Sequence, residues 1–184
     1  MRVISGKYRG KKLLTQKTNT VRPTTDRAKE GIFSSIQDRL FNANFLDLFS
    51  GSGAIGIEAL SRGAKFAVFV DKSKDSADII KKNIGSLKGL NKDSYKVMQA
   101  SSENFLLNEN MSYDIIFMDP PYKYSGFYKM LNIMYTKSIL QAGGIIIIET
   151  EKHTNLEIPE SFEIKQEKIY SISKFTFIQR KGKK

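Results

Sequence analysis

Residues 45–56, Phe45-Leu46-Asp47-Leu48-Phe49-Ser50-Gly51-Ser52-Gly53-Ala54-Ile55-Gly56, read as a strand, a glycine turn and the start of a helix in direct succession. Phe45 to Phe49 is an apolar run with the length of a buried strand, and Ala54 to Ser61 reads as a helix behind the turn. Gly51, Gly53 and Gly56 fit the G-x-G-x-x-G spacing of dinucleotide sites, and Asp71 ends the next apolar run twenty residues after Gly51. That pattern first suggests a nicotinamide-dependent dehydrogenase. Asp47 argues against it. An acid four residues before the turn has no partner in a dinucleotide site, whereas a ligand with a free amino group supplies one, and S-adenosylmethionine has such a group. Asp71, at the tip of Phe66-Ala67-Val68-Phe69-Val70, is placed to accept hydrogen bonds from ribose hydroxyls. Its competing role is a helix N-cap ahead of Lys72 and Ser73.

A second motif, Asp119-Pro120-Pro121-Tyr122, closes the apolar run Tyr113-Asp114-Ile115-Ile116-Phe117-Met118. Neither proline has a backbone N–H, so a strand ladder ends there. The stiff turn holds a carboxylate, carbonyls and an aromatic face close together. An exocyclic amine on a nucleobase needs those groups: its N–H bonds donate to Asp119 and the Pro120 carbonyl while Tyr122 stacks on the ring. A dehydrogenase explains neither this turn nor Asp47.

Composition narrows the alternatives. The chain has 184 residues, 40% hydrophobic and 27% charged, which suits one domain with a sizeable core. No apolar run approaches the roughly 20 residues that span a bilayer, and Met1-Arg2-Val3-Ile4-Ser5-Gly6 lacks a signal-peptide core, so a cytoplasmic protein is expected. With no cysteine and the single histidine His153, thiolate metal sites, a histidine cluster and a Ser-His-Asp triad are excluded. The formal charge of +11 suits a polyanionic partner, and residues 1–40 hold ten Lys or Arg against three acids. Arg180, Lys181, Lys183 and Lys184 add a basic tail.

Val3-Ile4 and Leu13-Leu14 flank Gly6-Lys7-Tyr8-Arg9-Gly10, which predicts a basic hairpin. Arg22-Pro23-Thr24-Thr25-Asp26-Arg27 then opens a helix over residues 26–40, with Ala28, Ile32, Phe33, Ile36 and Leu40 on one face. Strands are expected near 45–49, 66–71, 95–100, 113–119 and 143–150, with helices between them, followed by an antiparallel pair near 162–170 and 173–180. Alternating strands and helices imply a parallel sheet with both faces covered, and ligands in such sheets bind beyond the carboxyl ends of the strands. Gly51, Asp71 and Asp119 all fall at such ends.

These residues resemble a Rossmann-type S-adenosylmethionine-dependent methyltransferase with an amino-methylating Asp-Pro-Pro-Tyr motif. More closely, the chain resembles the RsmD family, which methylates N2 of one guanine in bacterial 16S ribosomal RNA. The matching stretches are Arg2 to Gly10, Arg22 to Arg27, Leu46 to Gly53, Gly56 to Ala64 and Asp119 to Tyr122, in the family's order. The resemblance implies an α/β fold, a mostly parallel seven-stranded Rossmann-like sheet with a terminal antiparallel hairpin. Residues 1–25 would be a basic N-terminal extension and residues 26–184 the methyltransferase domain.

It also implies roles. Asp119, Pro120, Pro121 and Tyr122 would be catalytic. Asp47, Phe49, Ser50, Gly51, Gly53, Asp71 and Lys72 would hold S-adenosyl-L-methionine. Such enzymes usually follow the third strand with an acid that contacts the adenine amine; here Ser101-Ser102 stand there, with Glu103 two positions late, so a backbone contact near Ser101 or Ser102 is expected instead. Lys7, Tyr8, Arg9, Arg22, Thr24 and Arg27 would contact RNA, although Tyr8 serves equally well as a structural aromatic. The implied partner is 16S rRNA in the small ribosomal subunit or its assembly intermediate, approached by a monomer without metal or membrane. Two rivals remain: a DNA amino-methyltransferase, for whose target-recognition sequence 184 residues leave no room, and an inactive nucleic-acid-binding module.

Overall fold

Ile115, Ile116, Phe117 and Met118 are all buried, so the strand that carries them must be covered on both faces. The computed structural model, which describes residues 1–16, 25–121 and 124–182, shows how. Strands β1 (Asn44–Leu48), β2 (Phe66–Asp71), β3 (Tyr95–Gln99), β4 (Tyr113–Met118), β5 (Leu140–Glu151), β6 (Phe162–Tyr170) and β7 (Ser173–Arg180) form one sheet in the order β3-β2-β1-β4-β5-β7-β6. The pairs from β3 to β5 are parallel, and β7 pairs antiparallel with both β5 and β6. The expected α/β sheet with its terminal antiparallel hairpin is present.

Helices α1 (Asp26–Ser35), α2 (Gln37–Leu40), α3 (Ala54–Ser61), α4 (Lys74–Gly85), α5 (Ser102–Asn108) and α6 (Phe127–Thr136) complete the element list with a 3₁₀ turn at Lys92–Ser94. Two apolar layers result. One joins Ile32, Phe33, Ile57, Ile80 and Ile84 to Phe45, Phe69, Phe117 and Ile147, so α1, α3 and α4 cover that face. The other joins Leu106, Met130, Leu131 and Met134 to Leu46, Val68, Ile116 and Ile148, so α5 and α6 cover the opposite face. Alternate strand residues feed the two layers, as the period of two requires.

Two expectations need correcting. The helix expected over 26–40 is two helices, broken at Ile36, whose φ of −122° and ψ of 12° leave the helical region. Ser35 Oγ turns back onto the Gly31 carbonyl at 2.7 Å, a local bond that competes with helix continuation. The amino-terminal hairpin is also slighter than expected, with one isolated antiparallel bridge between Arg2 and Lys12. Among the described residues no helix is long and apolar enough to cross a membrane.

Candidate active site

The strand order reverses between β1 and β4, and the chain leaving each of them builds one side of a cleft. After β1 the backbone turns through positive φ at Phe49 (63°), Gly51 (53°) and Gly53 (75°). The turn is pinned from both sides. Ser50 Oγ donates to the Asp47 carbonyl at 2.6 Å and accepts from Val70 N–H at 2.8 Å, which joins the ends of β1 and β2. Asp71 accepts from Gly51 N–H at 2.9 Å on one oxygen and from Ser73 N–H at 2.8 Å on the other. Ser73, and not Asp71, is the N-cap of α4.

The glycines have separate duties. A Cβ on Gly56 would lie 2.3 Å from the Phe69 ring, so this glycine lets α3 pack close to β2. A Cβ on Gly51 would meet nothing within 4 Å, so this glycine bares backbone to open space. Open space above Gly51, with Asp71 lone pairs beside it, fits the ribose end of S-adenosylmethionine.

Asp47 has an internal partner. It is 2% exposed and accepts from Gly56 N–H at 3.0 Å, beneath the amino end of α3. Burial pushes its pKa up to about 7, assisted by the Asp71 charge and opposed by the Gly56 N–H. Beyond β3, Ala100 N–H donates to the Asp71 carbonyl at 3.0 Å, which brings the Ser101 turn beside Asp71. Ser101 caps α5, accepting from Asn104 N–H at 3.3 Å; Ser102 is buried and Lys72 is exposed. A cavity of approximately 530 Å³ lies along α4, walled by Thr15, Gln16, Ser73, Asp75, Asp78, Ile79 and Lys82.

On the other side Asp119 follows β4 directly, its N–H reaching the Leu48 carbonyl at 3.5 Å. Its residue surface is open to the cleft, yet protein crowds the carboxyl group itself. That desolvation, followed by the Glu149 and Asp47 charges, holds its pKa well above the usual carboxylate range. Tyr124 N–H donates to the Pro121 carbonyl at 3.2 Å. The Tyr124 ring stands edge-on to Phe49 at 5.3 Å and to Phe127 at 5.2 Å, forming an aromatic wall. Sequence reasoning missed Tyr124, an aromatic two residues beyond the motif. Tyr122, Arg22 and Thr24 lie outside the described residues.

Sequence reasoning also missed Glu58, whose signal is an acid inside the apolar helix Ala54–Ser61. Its fully buried carboxylate accepts from Ile4 N–H at 2.8 Å and Ser5 N–H at 2.9 Å, and pairs with Lys29 Nζ at 3.1 Å and Arg62 Nε at 2.9 Å. Ser61 Oγ donates to the Ser5 carbonyl at 2.6 Å and accepts from Tyr8 N–H at 2.9 Å. The tip of the basic hairpin therefore docks at the carboxyl end of α3. The glycine turn precedes the amino end of that eight-residue helix, about 12 Å away along its axis.

Lys7 donates to the Gly89 carbonyl at 2.9 Å, and Tyr8 packs partly buried against the core. Arg9 is exposed there, and Arg27 is exposed on the first turn of α1.

A doubly wound sheet with a glycine turn and an Asp-Pro-Pro turn flanking its switch point is the build of a Rossmann-like methyltransferase, and fold and site place the chain in that class. It belongs to the family described as conserved hypothetical protein 95, whose profile matches residues 1–179. Ribosomal RNA small subunit methyltransferase D of Haemophilus influenzae is 32% identical over 180 residues, 97% of this chain and 93% of that one. Its Escherichia coli namesake is 30% identical over 183 residues, 99% of this chain and 91% of that one. The solved structure of yhhF from Escherichia coli superposes with a TM-score of 0.87 at 29% identity, covering 100% of this chain and 99% of the other.

Proposed function

We propose that this protein methylates the exocyclic N2 amine of a guanine in 16S ribosomal RNA, with S-adenosylmethionine as donor. The observation that carries the reading is Asp119 at the carboxyl end of β4, with the glycine turn of β1 across the switch point. The namesakes from Haemophilus influenzae and Escherichia coli support ribosomal RNA as the acceptor. A monomer acting in the cytoplasm on the small subunit or its assembly intermediate is part of the same reading.

S-adenosylmethionine supplies a methyl group on a positively charged sulfur. The chain's residues do the rest. The guanine amine is a poor nucleophile because its lone pair is delocalised into the ring. Accepting its N–H bonds at the Asp119 carboxylate and the Pro120 carbonyl favours a pyramidal nitrogen, and holding it in line supplies much of the rate. As the nitrogen gains positive charge the Asp119 carboxylate stabilises it and then takes the proton that the methylated nitrogen loses. The base must leave its stack to enter, and Tyr122 is assigned the face that replaces the lost stacking. Arg9, Arg22 and Arg27 are assigned to phosphates.

The test offers labelled methyl donor to deproteinised ribosomal RNA, small subunits and genomic DNA in parallel, with nuclease digestion and mass mapping of the product. N2-methylguanine in 16S RNA is expected. Label on DNA adenine or cytosine decides for the DNA amino-methyltransferase, and RNA binding without label decides for an inactive binding module.

A further inference from the structure

The register of β4 against β5 pairs Phe117 with Ile147 and ends with Met118 on Ile148, so Asp119 and Glu149 each follow the last pair by one residue. Residues paired in a parallel ladder project to the same face. Phe117 and Ile147 belong to the layer under α1 and α3, and Met118 and Ile148 to the opposite layer. By alternation Asp119 and Glu149 both project with Phe117 and Ile147. Besides burial, the Glu149 charge raises the Asp119 carboxyl, more than the Asp47 charge does. Glu149 is half-buried, and the proposed mechanism gives it no task.

We infer that Glu149 is a specificity-determining residue, a carboxylate that accepts the ring N1–H of the target guanine while Asp119 accepts from its N2 amine. The inference rests on the guanine-N2 reading above. Guanine alone among the common bases presents adjacent N1–H and N2–H donors on its Watson–Crick edge, and a carboxylate is an acceptor only. Adjacent strands lie about 4.8 Å apart, so carboxylates on neighbouring rows can face one base edge together. Adenine and cytosine turn an unprotonated ring nitrogen towards that edge beside their amine, and a second carboxylate there would repel it. A row carrying two acids thus selects guanine where a single acid would accept any amino base.

The test uses small subunits rebuilt with synthetic RNA in which the mapped target carries either guanine or 2-aminopurine. The analogue keeps the N2 amine and lacks the N1 proton. The wild-type protein should prefer guanine in kcat/KM by about tenfold or more, since a site built around a donor rejects the analogue that lacks it. Glu149→Gln presents an amide that can donate to the unprotonated N1, so its preference should fall to within about threefold of unity. Glu149→Asp keeps the charge and should keep the sign of the preference. Calorimetry with S-adenosylmethionine and a thermal melt check that each variant is folded and binds donor. An unchanged guanine preference in a folded, donor-binding Glu149→Gln protein overturns the inference and leaves the methyltransferase reading standing. A wild type that labels neither RNA overturns both. Should Glu149→Gln not fold, Glu149→Ala takes its place, and a folded, donor-binding Glu149→Ala protein that keeps the full guanine preference would overturn the inference.

Discussion

Glu58 and Lys29 meet at 3.1 Å with neither side chain reaching solvent, and through that pair α3 holds both α1 and the amino-terminal hairpin. Burial lowers the Lys29 pKa, while the Glu58 charge and hydrogen bond oppose that shift. Lys29 also donates to the Arg2 carbonyl at 2.5 Å, so each partner has ligands besides the other. Glu58→Ala would strip the buried ammonium of its counter-charge and two backbone N–H groups of their acceptor. We expect a loss of about 3–5 kcal/mol in urea-monitored stability, much of it recovered when Lys29→Met is added.

Gly51 and Gly56 should separate binding from folding. Gly51→Ala meets open space and suffers only the cost of its positive φ, about 1–2 kcal/mol, while its methyl intrudes on the proposed donor site. Gly56→Ala drives a methyl into the Phe69 ring and costs about 1–3 kcal/mol by overpacking. Calorimetry and thermal melts on both variants should show donor binding lost in the first with a modest change in Tm, and a larger fall in Tm in the second.

Asp119→Asn should lower the single-turnover rate by at least about a hundredfold with donor affinity unchanged, because this carboxylate addresses the acceptor amine. The wild-type rate should fall as pH drops through the Asp119 pKa. Since crowding, Glu149 and Asp47 all raise that pKa, the fall should begin above the ordinary carboxylate value of about 4. A pH–rate profile flat down to that value would contradict the assignment.

Asp47 makes the opposite prediction about stability. Its pKa is about 7 when folded and lower when unfolded, so the folded state holds a proton that the unfolded chain has released between those values. Stability should therefore decline as pH rises from about 4 towards 7, by up to a few kcal/mol from this group. In Asp47→Asn, urea titrations across that range should lose this part of the pH dependence.

Arg9 and Arg27, both exposed, should each contribute about one phosphate contact. Replacing either with alanine should flatten the slope of log affinity against log salt by about 0.7–0.9, with donor binding intact. Filter binding of 16S RNA across a salt series measures this. An unchanged slope for Arg9→Ala alone would place the RNA on the cleft side and away from the hairpin tip.

Much of this protein was decided within short windows of chain. Apolar runs of strand length, positive-φ glycines after β1 and two prolines after β4 depend only on neighbours in sequence, so the sheet strands and the glycine and Asp-Pro-Pro turns were legible without coordinates. The helix break at Ile36 was not, because Ile36 continues the apolar face and its departure rests on a bond from Ser35. Nor was the partner of Asp47, which α3 supplies only once Gly56 has packed against Phe69. Glu58 gathers Ile4, Ser5 and Lys29 across 54, 53 and 29 positions, and no local pattern joins residues so far apart. Asp119 and Glu149 come to the same end of the sheet because β4 and β5 pair in one register up to Met118 and Ile148. A one-residue slip of β5 would put Thr150 beside Asp119 and turn Glu149 to the other face. Strand identity is local chemistry, whereas pairing partner and register are set by which apolar faces the whole chain can bury at once.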